Sequence, residues 1–268
     1  GRSPLAIALG HLALLAERSA SVPIGQTPAE LAADYQQTGW QVDQAALHAL
    51  GCVHAKADLE AVSAALRALY LPWMEEAARR LQEAAKAAGG LPPLPTEQNN
   101  GVGAGTCTVF VDGLRYDTAV QLQQRLSALG GTTLSTRWTS LPSVTASGKA
   151  WCSPVSAHIA GTAEDAEFEP RVASDGKPLS GHNFRKLLNE HGVQPLEKHE
   201  TGNPQGRAWT EAGDLDHYGH EHGVRLARDL GTQLDQVVER VTELSDAGWK
   251  RVRVVTDHGW LLMPGGLP

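Results

Sequence analysis

Apolar residues in the first third of the chain recur at helical spacing: Leu47, Leu50 and Val53, then Leu59, Val62, Leu66 and Leu69. Residues repeating every three or four positions fall on one helix face. Residues 4 to 89 are therefore expected to be helical, with Gly39 and Pro72 as breaks. The Ala-rich stretch Met74 to Ala88 interleaves Glu with Lys and Arg, which predicts a strong helix with a solvated surface. Leu5 to Ala16 is also apolar, but Glu17-Arg18 precedes the only small-residue site suited to cleavage. An ordinary helix is expected there instead of a signal peptide. From Gly89 to Gly105 the chain turns rich in Gly, Pro and Asn. That stretch reads as a linker, 90–105, between a helical region 1–89 and a core 106–268.

Beyond the linker the period shortens. Thr108-Val109-Phe110-Val111 is a β-branched, apolar run and predicts a buried strand that stops at Asp112-Gly113. A helix from about Tyr116 to Leu129 is closed by Gly130-Gly131. Thr132 to Trp138 alternates and is expected to be a second strand. Residues 162–206 are polar, with Pro170, Pro178, Pro195 and Pro204, and read as an insertion over one face of the core. A short helix around Asn183 to His191 interrupts it. A long helix, about His222 to Ala247, leads to a strand at Val252–Val255. Strand, helix, strand, long helix, strand is the order of an α/β fold with a mostly parallel sheet flanked by helices.

Composition narrows the class. No run approaches the roughly 20 apolar residues that cross a bilayer, so no membrane partner is expected. The net charge of −7 argues against a broad nucleic-acid footprint, though it is compatible with a local basic groove. Cys52, Cys107 and Cys152 are too few for a disulfide framework and point to a reducing, cytoplasmic compartment. The chain begins without Met and stops at Gly-Gly-Leu-Pro, and is expected to be a piece of a longer protein.

Four places carry candidate chemistry. Asp112 ends one strand and Asp257-His258 ends another, where open α/β sheets place their ligands. Each also has a plainer reading: Asp112 as a turn-initiating residue before Gly113, Asp257 as a cap. Thr145 is expected at the N-cap of a helix beginning at Ala146, aiming its hydroxyl at an anion or simply capping. Asp216 and His220 stand four apart, so either one helical face or a turn at Gly219 would bring them together. Carboxylate plus imidazole suits Zn²⁺ or Mn²⁺, while a solvated loop with His217 and His222 is the other reading. His11, His48 and His54 are expected to be structural or surface histidines.

The order of these motifs resembles the alkaline phosphatase superfamily, in its phosphodiesterase-like branch with a threonine nucleophile. The wording is more specific. Val111-Asp112-Gly113-Leu114-Arg115-Tyr116-Asp117, Leu141-Pro142-Ser143-Val144-Thr145-Ala146 and the run from Val255 to Pro268 are similar to the signatures of the PglZ family of bacterial BREX phage-defence systems. Tyr70-Leu71-Pro72-Trp73 resembles that family too.

The resemblance implies an alkaline-phosphatase-like core and two divalent metal ions, zinc or alternatively manganese, about 4 Å apart. Asp112, Thr145, Asp257 and His258 would surround one ion, and Asp216 and His220 would hold the other. Thr145 would attack phosphorus, and water would release the phosphothreonine. Lys149 or Arg115 would bind phosphate oxygens, with a plain surface charge as the other reading of each. Other BREX proteins are the implied partners, and a phosphate ester, nucleic acid included, the implied substrate. The superfamily has a further histidine downstream of the Asp-His pair; the sequence ends at Pro268, ten residues after His258, without it. The second site is thus one ligand short, and the core is expected to be incomplete at its C-terminus. A catalytically idle scaffold of the BREX complex is the alternative. A helical interaction protein working through residues 4 to 89 is the third reading.

Overall fold

The structure, a computed structural model, describes residues 3–92, 102–161 and 169–267. Helices α1 (Pro4–Arg18), α2 (Pro28–Asp34), α3 (Trp40–Gly51) and α4 (Lys56–Ala87) form the N-terminal part, with a π-helical turn at Tyr35–Gly39 before α3. Local chemistry sets their starts. Ser3 accepts from the Ala6 amide, and Thr27 with Glu30 forms a capping box ahead of Pro28. The break expected at Pro72 does not occur, because α4 runs through it. Buried Tyr70 and Trp73 flank the proline and stack with ring centroids 6.1 Å apart. Packing there outweighs the lost backbone bond.

The sheet is parallel, in the order β4 (Val193–Pro195), β5 (Arg207–Glu211), β1 (Thr106–Phe110), β6 (Arg251–Val255). All five residues of β1 are buried, as its apolar run predicts. Thr106 stands opposite Arg207 and Arg251, and Phe110 opposite Glu211 and Val255, so the carboxyl ends of three strands are level. Their two faces bury different partners, as the strand period of two requires. Cys107, Val109 and Ala208 face a cluster with α1, α3, α4 and the long helix α9 (Arg225–Asp246). Phe110 and Trp209 face a second cluster with Val155 and with Phe184, Leu187 and Leu188 of α7 (Gly181–Glu190).

Two expectations are corrected. Thr132 to Trp138 is not a strand; α5 (Tyr116–Leu126) ends in a 3₁₀ turn, Ser127–Leu129, and residues 131–140 have no regular structure. Leu134 and Trp138 share its alternating face, but Leu134 is left 37 % exposed, and the segment and β6 line one cavity instead of pairing. The polar segment 162–206 is more than an insertion. Its residues 162–168 lie outside the described chain, but the rest supplies α7 and the edge strand β4 of the main sheet. A two-stranded antiparallel hairpin, β2 (Ile159–Ala160) with β3 (Arg171–Val172), precedes α7. Pro195 suits an edge strand, where a missing N–H costs least.

His11 and His48 meet edge to face at 5.2 Å, and His54 Nδ1 lies 3.3 Å from Arg228. Of the linker read at 90–105, residues 93–101 lie outside the described chain. The helical part and the sheet share one hydrophobic cluster: Leu50 of α3 and Leu66 of α4 belong to it with Val109 and Leu234. One consequence is a single unfolding transition in urea. Leu50→Ala should lower stability by about 2–5 kcal/mol in that one transition, followed by tryptophan fluorescence and far-UV dichroism together. Separate transitions for the two probes would show that the helices fold on their own.

Candidate metal centre

The ends of β1 and β6 are tied to one another. The Val111 amide donates to the Val255 carbonyl at 2.9 Å, extending the pairing by one residue. The chain then turns at Gly113, whose φ of 67° lies where glycine is favoured. The Leu114 amide donates to Thr256 Oγ1 at 2.9 Å, and the Gly113 amide points to Asp257 Oδ1 at 3.4 Å. Asp257 Oδ1 also accepts from the His258 amide at 2.9 Å. Two side chains after β6 thus satisfy the backbone after β1.

Thr145 begins helix α6 (Thr145–Cys152), and Val144 takes the N-cap position expected of it. Val144 is extended and has no capping oxygen, so the Thr145 hydroxyl is engaged elsewhere. It lies 3.1 and 3.3 Å from the two Asp112 oxygens and 3.0 Å from His258 Nε2. The helix comes this close because Gly148 has no side chain: a Cβ there would fall 2.5 Å from the Cβ of Asp257. Gly148 was not singled out by sequence. Its only signal is the small-residue run Thr145-Ala146-Ser147-Gly148.

Asp112, Asp257 and His258 each offer one ligand atom, all within 4.8 Å of one another, the only such group of three among the described residues. His258 Nδ1 lies 3.0 Å from the Gly259 carbonyl. Nδ1 thus donates to that carbonyl, and in the imidazolium form Nε2 donates to Asp112, at 3.2 Å, a proton that a cation bound at Nε2 would replace. The hydrogen bond to Asp112 pushes the imidazole up to about 9, against the opposing effect of burial. Burial, then the Asp112 charge, raises the Asp257 carboxyl above its ordinary value. The Asp257 side chain is fully buried, and its Oδ2 has no hydrogen-bond partner. A buried carboxylate oxygen without a partner is costly. A divalent cation at the convergence of the three groups would partner it, and oxygen and imidazole donors suit Zn²⁺ or Mn²⁺. The residues fit a metal.

Asp112 is 33 % exposed against 10 % for His258, so the site opens on the Asp112 side. A cavity of about 1030 Å³ runs from Asp257 and His258 along β6 and residues 130–139. Asp216 and His220 pair at 3.4 Å on α8 (Leu215–His222). Asp216 abuts the same turn, since a Cβ on Gly113 would lie 3.1 Å from that of Asp216. His220 is 79 % exposed, and the pair does not join the three-ligand group. His217 and His222 lie within ion-pair distance of Glu221.

The two expected phosphate-binding cations are engaged elsewhere. Lys149 pairs with Glu211 at 2.6 Å and sits over the Phe110 ring. Arg115 is nearly buried and bonded to Asp117 at 2.6 and 2.8 Å.

Zinc should raise the melting temperature of the wild-type protein, because it binds the folded state. Asp257→Ala should lose the ion at the Thr145 site and with it that rise, read by metal analysis and thermal denaturation. Unchanged metal stoichiometry in the mutant would remove Asp257 from the ligand set. In comparisons with protein-family models, curated proteins and solved structures, nothing matches this chain.

Proposed function

We propose that this chain belongs to a metal-dependent phosphoesterase of the PglZ type, with Thr145 as its nucleophile. The observation that carries the reading is the meeting of one hydroxyl, two carboxylates and an imidazole at the start of α6 and the ends of β1 and β6. A lone threonine hydroxyl is a weak nucleophile. Here it already donates toward Asp112, the group placed to take its proton. The first turn of α6 adds the positive end of a helix dipole, which favours an incoming phosphoryl group.

Asp112, Asp257 and His258 would hold a divalent cation, which would supply Lewis-acid charge to the site. Asp216 and His220 would serve a second ion beside the same turn. Thr145 Oγ1 bonds to phosphorus as the ester oxygen leaves, giving a phosphothreonine that water then hydrolyses. The open Asp112 side is where an ester would enter. The long motif similarity supports a role with other BREX proteins. The three free cysteines are compatible with the reducing bacterial cytoplasm.

Full-length protein supplied with zinc or manganese should hydrolyse a chromogenic phosphodiester or monoester, and the ratio of the two rates would define the ester class. A single-stranded oligonucleotide would test nucleic acid as the natural ester. Thr145→Ala should lower kcat by roughly a thousandfold or more. A folded, metal-loaded protein without turnover, or one indifferent to Thr145→Ala, would refute the assignment and leave the scaffold role.

A further inference from the structure

Behind the candidate ligands, the two ligand-bearing loops are joined by a second set of contacts. The indole Nε1 of Trp260 donates to the Gly113 carbonyl at 2.7 Å. Gly113 follows Asp112, and Trp260 lies two residues beyond His258, so this bond spans the loops directly. The Arg115 guanidinium covers the same indole, 4.3 Å from the ring centroid, and its Nη1 reaches the Trp260 carbonyl at 3.5 Å.

Arg115 is itself held from behind. Asp117, whose side chain is fully buried, takes two of its N–H groups. A third contact runs from Nη2 to the Asp43 carbonyl, 3.4 Å away in α3. The Asp43 carboxylate accepts from the hydroxyls of Tyr35, at 2.5 Å, and Tyr70. A buried polar chain thus passes from the N-terminal helices to the backbone beside Asp112. A flat, forked cation is needed for it, because a lysine cannot stack on the indole and grip Asp117 through two parallel bonds together.

We propose that Trp260 and Arg115 are positioning residues of the metal centre, setting the distance between the Asp112 loop and the Asp257-His258 loop. The inference rests on the metal-site reading above and gives Arg115 a role other than phosphate binding. Its physical basis is the narrow tolerance of coordination: ligand atoms bind zinc at about 2.0–2.2 Å, so a small drift between loops separates donors from the ion. Groups that orient ligands from behind typically change affinity by about 10–100-fold when altered.

The test uses Trp260→Phe, which keeps a ring but loses the bond to Gly113, and Arg115→Lys, which keeps the charge but loses the fork and the stack. Leu187→Ala, in α7 on the opposite core cluster, serves as a control for plain destabilisation. Three quantities are measured: zinc affinity by competition with a chromogenic chelator, thermal stability, and hydrogen exchange of the Gly113 and Leu114 amides without metal. Both loop variants should bind zinc about 10–100-fold more weakly. Their Gly113 and Leu114 amides should exchange about tenfold faster or more, since those bonds cross the loops. Leu187→Ala should lower thermal stability with neither effect. Wild-type affinity and exchange in either folded loop variant would overturn the proposal, as would equal losses in Leu187→Ala. Failure of the metal-site reading is seen separately, as wild-type protein that binds neither zinc nor manganese, and it would overturn both.

Discussion

Parallel pairing of β1 with β6 is the constraint from which the candidate site follows. Because Phe110 and Val255 are in register, the residues after them emerge side by side, and one of them, Asp257, is carried into the interior. A buried carboxylate beside a second carboxylate is electrostatically unfavourable, as the raised Asp257 shows. The arrangement is held by backbone groups that need the same oxygens. Two amides converge on Asp257 Oδ1, and Thr256 takes another. What is left over, Oδ2 of Asp257, is the atom that most calls for a cation.

The helical N-terminal part has a mechanical place in this arrangement. Its apolar faces join the core beneath the sheet, and its polar groups reach the loops above. Arg67 of α4 donates to the carbonyls of Pro264 and Gly266, at 2.8 and 3.1 Å, on the continuation of the loop that bears His258. Asp43 and Arg115 make the corresponding connection on the other loop. The loops at the sheet ends are therefore tied to α3 and α4, helices distant in sequence.

Much of this could be read in the sequence, for identifiable reasons. Apolar runs ending in Asp112 and in Asp257-His258 are local signals, and both strands lie where those runs placed them. The meeting of Thr145 with Asp112 and His258 was carried by motif order alone and is now seen as distances. Strands β4 and β5 were hidden. β4 has three residues, and Arg207-Ala208-Trp209-Thr210-Glu211 shows strand character only once β1 lies beside it. Thr132 to Trp138 alternates as a strand would, with Leu134 and Trp138 on one face, but among the described residues no strand pairs with it. Arg115 shows a related limit. Its partner Asp117 is two residues away, but its contact with the Asp43 carbonyl, 72 residues away, exists only once the fold brings the two together.

The contact between Gly148 and Asp257 bears on how the site moves. Helix α6 rests at that point on the stem of a side chain, with no flexible group between them. Such a contact has no alternative rotamers through which it can relax. A side chain at position 148 would therefore push α6, and Thr145 with it, away from Asp257. What stays open to solvent is the Asp112 carboxylate, 33 % exposed, on a turn whose own backbone is held by Thr256 and Trp260.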